Sequence, residues 1–121
     1  MKTFLAVYTG LADAMAAWNK LPDSERLARQ TRGIAAWKDW AQQNAAAIVE
    51  TGGPLGRTKA VTTRGMADVR NNLAAFTIVR AESQEAAAEL FVNHPHFTIF
   101  PGEAVEIMEI LPIPPDSDRH A

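Results

Sequence analysis

The 121-residue sequence contains no cysteine, no surplus of positive charge and no long apolar run. Without cysteine, the chain cannot form disulfides, thiolate nucleophiles or zinc–thiolate sites. Its formal net charge of -2 provides no electrostatic attraction to phosphate, so nucleic acid is not an expected partner. No segment approaches the ~20 consecutive apolar residues that cross a bilayer. We therefore expect a cytoplasmic protein with no nucleic-acid partner and no membrane partner.

The length predicts a single domain, because 121 residues are enough for one modest hydrophobic core and not for two. The last apolar run ends in a proline-rich segment, and the residues after it are mostly polar. We place the domain at residues 1–113 and expect a disordered C-terminal tail at 114–121.

Apolar β-prone runs predict strands at 4–9, 46–50, 58–63, 73–79 and 104–111. Helical spacing and N-cap residues predict helices at 11–20, 24–44 and 84–92, with Ser83 capping the last one. In the long helix, the predicted buried stripe is Leu27, Ile34, Trp37 and Ala41. The glycine-rich segment 51–56 predicts a tight turn from which 58–63 returns as a hairpin, and 64–72 predicts a loop.

The order β, α, β-hairpin, β, α, β is that of an α+β, ferredoxin-like split βαβ fold with an antiparallel sheet. Both faces of the strands at 4–9, 73–79 and 104–111 are largely apolar. An antiparallel sheet with one solvated face should alternate apolar and polar residues. Since two helices cover only one face, we expect a homodimer in which two sheets stack face to face. The alternative is that the chain's own loops cover the second face.

His94 and His96 flank Pro95 and are the candidate catalytic residues, because imidazoles serve as acids or bases near neutral pH. The alternative is structural: one histidine caps a helix end and stacks on Phe97 or another neighbour. A metal site would need His120 or carboxylates such as Glu103 to complete it, and we predict none.

A ligand pocket is predicted around Tyr8, Trp37 and the turn residues Gly53, Pro54 and Leu55. A buried tyrosine hydroxyl requires a hydrogen-bond partner, and small residues let a ligand approach the backbone. The competing interpretations are that the tryptophans are ordinary core residues and that the glycines only form a turn.

Two stretches resemble the YCII-related family. Gly53-Pro54-Leu55 followed by Thr58-Lys59 is similar to one family segment, and the residues from Asn93 to Ile110 are similar to its C-terminal stretch. The resemblance covers residues 1–113. It implies a dimeric α+β barrel with a pocket between helices and sheet and no obligate organic cofactor. Some members are enzymes, including a lyase-like dehydrochlorinase that acts on a chlorinated hydroquinone.

Family members with a proposed His–Asp dyad carry the histidine on the first long helix. Helix 24–44 of this chain contains no histidine, so the dyad is not transferred, and His94 is the candidate substitute. Three hypotheses remain open: a small-molecule enzyme with lyase- or isomerase-like acid–base chemistry, a non-catalytic domain that binds a small aromatic ligand, and an accessory dimerisation domain.

Overall fold

Ten helices and strands follow one another in residues 1–114, the part of the chain that the computed structural model describes. They are β1 (Lys2–Thr9), α1 (Ala12–Asn19), α2 (Asp23–Gln43), β2 (Ile48–Pro54), β3 (Thr58–Thr62), β4 (Gly65–Val69), β5 (Leu73–Ala81), α3 (Gln84–Glu89), α4 (Pro95–Thr98) and β6 (Ala104–Glu109). The predicted tail lies outside these residues, apart from Pro114. Within residues 1–114, no helix is both long and apolar enough to cross a membrane.

The main sheet is antiparallel with strand order β2-β5-β1-β6. This is the order of a ferredoxin-like fold to which a separate two-stranded hairpin, β3-β4, has been added. The predicted α+β, ferredoxin-like fold with an antiparallel sheet is therefore confirmed.

The helices cover one face of this sheet, and the core lies between the two layers. Phe4, Ala6 and Tyr8 alternate along β1 and are fully buried there, with Val79 of β5 beside them. From the helical layer, Trp40 of α2 and Phe91, which follows α3, complete the core. The indole of Trp40 also donates a hydrogen bond to the Leu90 carbonyl at 2.7 Å, which joins α2 to the end of α3. The predicted Ser83 cap is confirmed, because its hydroxyl accepts from the Ala86 amide.

The opposite face of the sheet is only partly covered by the described residues. We call it the open face. Its apolar residues are Leu5, Val7, Phe76, Ile78 and Met108, and Glu106 and Arg80 lie on the same face. Met108 is 45 % exposed, Leu5, Phe76 and Ile78 are half-buried, and Val7 is buried, at 8 %. The predicted two-sided apolar sheet is therefore present, and its second face is partly exposed.

The prediction for residues 46–72 was wrong in three respects. β2 continues through the predicted turn as far as Pro54, with register shifts that accommodate Gly52 at a φ of 66°. The strand at 58–62 pairs with β4 and not with β2, and β4 occupies the predicted loop. Every residue of β4 is exposed. Its sequence therefore lacks the alternation of apolar and polar residues by which a half-buried strand is recognised.

The predicted buried stripe of α2 was also partly wrong. Leu27 and Ile34 are 62 % and 44 % exposed, and the buried residues of the helix are Gly33 and Trp40. A Cβ at Gly33 would overlap the ring of Phe100, so glycine here allows the segment after α4 to pack closely against α2.

Candidate functional site

Tyr8 forms the centre of a buried polar cluster. It lies near the end of β1, and strand alternation turns its side chain toward the helices together with Phe4 and Ala6. Its hydroxyl lies 3.0 Å from the hydroxyl of Thr77 on the neighbouring strand β5. Thr77 in turn donates to the carbonyl of Thr51 on β2, also at 3.0 Å. Three adjacent strands therefore contribute one hydrogen-bonded row.

His94 approaches the same hydroxyl from the helical layer. Pro95 at the first helical position favours the start of α4, and His94 is its N-cap, with Nδ1 accepting from the His96 amide at 3.0 Å. Its ring is fully buried, and Nε2 lies 3.5 Å from the Tyr8 hydroxyl. That distance is at the upper limit for a hydrogen bond, longer than the usual ~2.9 Å.

The groups at the two ends of this row determine which atom donates each hydrogen bond. The Thr51 carbonyl only accepts, so Thr77 must donate to it, and the Thr77 oxygen then accepts from Tyr8. At the other end, Nδ1 of His94 accepts from a backbone amide and therefore carries no proton in the neutral ring. The neutral His94 thus carries its proton on Nε2, and that N–H faces the Tyr8 oxygen.

Burial keeps both rings neutral. Desolvation raises the pKa of Tyr8 to about 12, an effect that the hydrogen bond with Thr77 partly offsets. Desolvation, followed by repulsion from the neighbouring His96, lowers the pKa of His94 to about 4. At neutral pH the cluster therefore holds an uncharged imidazole and an uncharged phenol.

His96 anchors the segment after α4 to the end of β1. Its Nε2 lies 2.7 Å from the Thr9 carbonyl, and its ring contacts Phe97 edge to face. Burial lowers the pKa of His96, and hydrogen bonds to the backbone of Thr9 and Ala104 oppose that shift. Gly102 lies directly against the ring, where a Cβ would overlap it. His96 therefore has a structural environment, and Nε2 is already occupied.

Aromatic rings enclose the Tyr8–His94 pair. Trp37 contacts both rings, at centroid distances of 4.8 Å to Tyr8 and 4.4 Å to His94. Trp40 and Phe91 pack against His94 from α2 and from the segment after α3, at 4.6 Å and 5.9 Å. Trp37 is half-buried, whereas Tyr8 and His94 have no exposed surface. Trp37 thus lies between the pair and solvent.

Four of the predicted site residues come together here, namely Tyr8, Trp37, His94 and His96. The predicted turn residues do not join them. Pro54 shares a cross-strand row with Ala75 and Tyr8 but lies on the edge strand, two strands away. Leu55 borders a separate open groove of about 320 Å³ beside Arg57. A second open groove, of about 370 Å³, lies between the end of α2 and β2 and includes Thr51 among its lining residues.

The sequence interpretation missed Thr77 and Phe91 as members of the cluster. A signal existed for Thr77, since it is a polar residue on the core-facing side of an apolar strand. Within residues 1–114, no group of three or more histidine or acidic side chains is arranged to hold a metal ion, and His120 lies outside the described residues.

Comparisons with known proteins identify the fold and no family. No family model matches the sequence, and no curated protein matches it either. Among solved structures, the chain is similar to the 5-chloro-2-hydroxyhydroquinone dehydrochlorinase of Burkholderia phenoliruptrix AC1100 in complex with 2,5-dihydroxybenzoquinone. The match has a TM-score of 0.52 and 18 % identity, and it covers 88 % of this chain and 90 % of the other. At that identity the likeness shows a shared α+β fold.

Proposed function

We propose that this protein is a small-molecule enzyme of the YCII-like, dimeric α+β barrel kind, acting on a hydroxylated aromatic compound without an organic cofactor. The observation that carries the proposal is the buried Tyr8–His94 pair, enclosed by aromatic rings and connected by a hydrogen bond of 3.5 Å. Flat aromatic walls favour a planar ligand. The solved structure with the similar fold holds such a ligand, 2,5-dihydroxybenzoquinone.

The chemistry that suits the pair is stabilisation of negative charge on a ligand oxygen. A neutral imidazole with its proton on Nε2 is a hydrogen-bond donor, and a phenol with its pKa raised to about 12 stays protonated. An uncharged donor in a dry site, here the Nε2–H of His94, stabilises an oxyanion without needing to reorganise solvent, while the Tyr8 proton stays in its hydrogen bond to Thr77. Tautomerisation of a hydroxylated ring, or elimination from it, develops that charge. His94 is therefore the proposed catalytic residue and His96 a positioning residue.

A ligand reaches the pair by displacing Trp37. This ring is half-buried and is covered from outside by Phe100, whose centroid lies 6.1 Å away. Phe100 in turn contacts Trp18 of α1, a helix with no buried residue. The outer cover therefore consists of ring contacts around Phe100, which also packs against Gly33 of α2 and is joined to the Pro95 carbonyl by its own amide. The long contact from His94 to Tyr8 is weak, so replacing it with a ligand oxygen costs little.

The functional unit in this proposal is a homodimer formed by stacking two open faces. Leu5, Phe76, Ile78 and Met108 make the centre of that face apolar, and within residues 1–114 none of the four is fully buried. A second copy presents the same apolar surface, so a two-fold arrangement buries both.

Ligand titration tests the proposal. We expect 2,5-dihydroxybenzoquinone and chlorinated hydroquinones to raise the melting temperature and quench tryptophan fluorescence, because Trp37 and Trp40 border the site. His94→Gln should weaken binding at least tenfold and abolish chloride release from a chlorinated hydroquinone, while Leu27→Ala on the exposed side of α2 should change neither. Saturable binding that is unaffected by His94→Gln would place the ligand elsewhere.

An accessory, non-catalytic role is the second candidate. It is supported by the observation that no buried side-chain nitrogen or oxygen in residues 1–114 lacks a hydrogen-bond partner. Under this alternative, the two histidines serve only to attach residues 94–102 to the sheet. Absence of any stabilisation by phenols, hydroquinones and quinones would favour it over the enzyme.

A further inference from the structure

The β3-β4 hairpin with its flanking residues, 57–70, is the most exposed segment of the fold, and we call it the arm. Every residue from 61 to 70 is exposed. Val61 and Met66 are direct cross-strand partners, and each is 74 % exposed. Two large apolar side chains side by side on a solvated hairpin indicate a surface that meets a partner.

The arm is positively charged. It carries Arg57, Lys59, Arg64 and Arg70 against a single acid, Asp68. Lys59 and Asp68 neutralise each other through an ion pair at 2.6 Å across the hairpin. The three arginines have no ion-pair partner within residues 1–114. Three positive charges are therefore available to a partner.

The opposite edge of the main sheet is negatively charged. β6 is an edge strand, and we call Glu103 to Glu109 the β6 edge. This segment contains Glu103, Glu106 and Glu109, all exposed, and no basic residue. None of the three glutamates has an ion-pair partner in the described part of the chain. The arm and the β6 edge are thus opposite in charge. Glu106 lies on the open face, across from Val7, whereas Glu109 lies across from Phe4 on the side of the helices.

The arm and Glu103, the first residue of the β6 edge, lie at opposite edges of the sheet but at the same end, whereas Glu109 pairs with Phe4 toward the other end. The arm joins β2 to the start of β5, and Asn72 at its base accepts a hydrogen bond from Gly10, just after β1. On the other side of the same strand end, the Glu103 amide donates to the Thr9 carbonyl. A two-fold axis parallel to the strands would reverse the edges of a second, stacked sheet and keep the ends aligned. Each arm would then lie beside the partner's β6 edge.

We propose that in the homodimer the arm of each copy docks on the β6 edge of the other, with its arginines facing Glu103 and Glu106. The inference rests on the dimer proposed above. It adds the contacts that determine the relative orientation of the two sheets. Apolar contacts between two stacked sheets do not determine the angle between the sheets. Two reciprocal charged contacts select one arrangement. The docked arms would also shield the outer, unpaired edge of each β6 strand from pairing with strands of other molecules.

Charge reversal in the full-length protein tests the docking. One variant reverses the arm with Arg57→Glu, Arg64→Glu and Arg70→Glu, and the other reverses the β6 edge with Glu103→Arg and Glu106→Arg. A control reverses three exposed charges of the helical layer with Lys20→Glu, Arg32→Glu and Lys38→Glu. Dissociation constants come from sedimentation equilibrium at low salt, and circular dichroism checks that each variant is folded.

We expect each reversal to weaken its own homodimer at least tenfold, because arm and edge then carry like charges. Mixing the two variants should restore wild-type affinity as a heterodimer, since both contacts again pair opposite charges. Salt at 1 M should remove the differences, because the Debye length falls to about 3 Å. Unchanged affinity in both variants, or failure of the mixture to recover, would overturn the docking while leaving the stacked dimer and ligand binding intact. A monomeric wild-type protein would instead refute the dimer itself.

Discussion

Thr77 connects the Tyr8 hydroxyl to the backbone of an edge strand. It accepts from Tyr8 and donates to the Thr51 carbonyl, each at 3.0 Å, and it is 1 % exposed. Thr77→Val keeps the shape of the side chain and leaves both partners without their hydrogen bond. We expect a loss of about 1–3 kcal/mol in the free energy of unfolding, measured by urea denaturation, and no change for Thr63→Val at an exposed turn.

A double-mutant cycle with Tyr8→Phe separates the hydrogen bond from packing. Once Tyr8 has lost its hydroxyl, Thr77→Val no longer leaves a buried phenol unpaired. The double variant should therefore lose less stability than the sum of the two single variants, by about 0.5–3 kcal/mol for residues in contact. Strict additivity would mean that the two hydroxyls do not interact.

His94 makes the stability of the fold depend on pH in a defined direction. Burial, and then the nearby His96, lowers its pKa from 6.5 to about 4 in the folded protein. Between these values the unfolded chain binds a proton that the folded chain does not, so stability is complete above pH 6.5 and falls as the pH drops toward 4. The slope reaches at most about 1.4 kcal/mol per pH unit from this one group.

Unfolding free energies at pH 7.5, 6, 5 and 4 measure this dependence. His94→Gln should be less stable overall, and its slope between pH 6.5 and 4 should be shallower than that of the wild type. Nitrogen NMR of the ring should show the proton on Nε2 and no titration of His94 near pH 6.5. Titration near 6.5 would contradict the burial of a neutral ring.

At the scale of elements, Gly52 determines how β2 joins the sheet. It has a φ of 66°, and a Cβ on it would overlap the backbone carbonyl of Phe76. The next residue, Gly53, has open space around its Cβ position. Gly52→Ala should cost at least about 1–3 kcal/mol from backbone strain alone, with the overlap adding to it. Gly53→Ala is the matched control and should be close to neutral. Equal effects in urea denaturation would contradict the strained conformation.

The same scale shows what could be predicted from the sequence. β1, β5, α2 and the Ser83 cap of α3 were predicted because burial on one side leaves alternating or helical apolar spacing. β4 was missed because both of its faces are exposed. The four-residue helix α4 was missed because its start depends on the His94 side chain acting as an N-cap, a role more often taken by serine, threonine or aspartate.

The site was only partly predictable for a topological reason. Tyr8 is separated from Thr77 by 69 positions and from His94 by 86, so their contact depends on strand order and on the path of the chain after α3. The sequence marked Tyr8 and His94 as residues that need partners and gave no means of pairing them. Gly53, Pro54 and Leu55 lie on the edge strand or just beyond it, apart from the Tyr8 cluster, and a ligand contact for them remains a prediction.

At the scale of the whole molecule, one charged substitution on the open face tests whether the protein forms the stacked dimer. Ile78 lies near the middle of that face, opposite Leu5 on β1, and it is half-buried. A lysine there can extend into solvent from a monomer, but in a stacked dimer it would be enclosed between two apolar sheets. Burial of an unpaired ammonium costs several kcal/mol, and a two-fold dimer contains two of them.

We therefore expect the wild-type protein to sediment at micromolar concentration with twice the 13.2 kDa mass of one chain, and Ile78→Lys to sediment as a monomer. The loss of affinity should be at least about 100-fold, since each 1.4 kcal/mol is a factor of ten. Leu27→Lys is the control, because Leu27 is equally apolar, 62 % exposed and located on α2, on the other side of the sheet. The near-ultraviolet circular dichroism of all three proteins should agree. A folded Ile78→Lys variant that still dimerises would show that the open face is not the interface, and a Leu27→Lys monomer would place the interface on the helices instead.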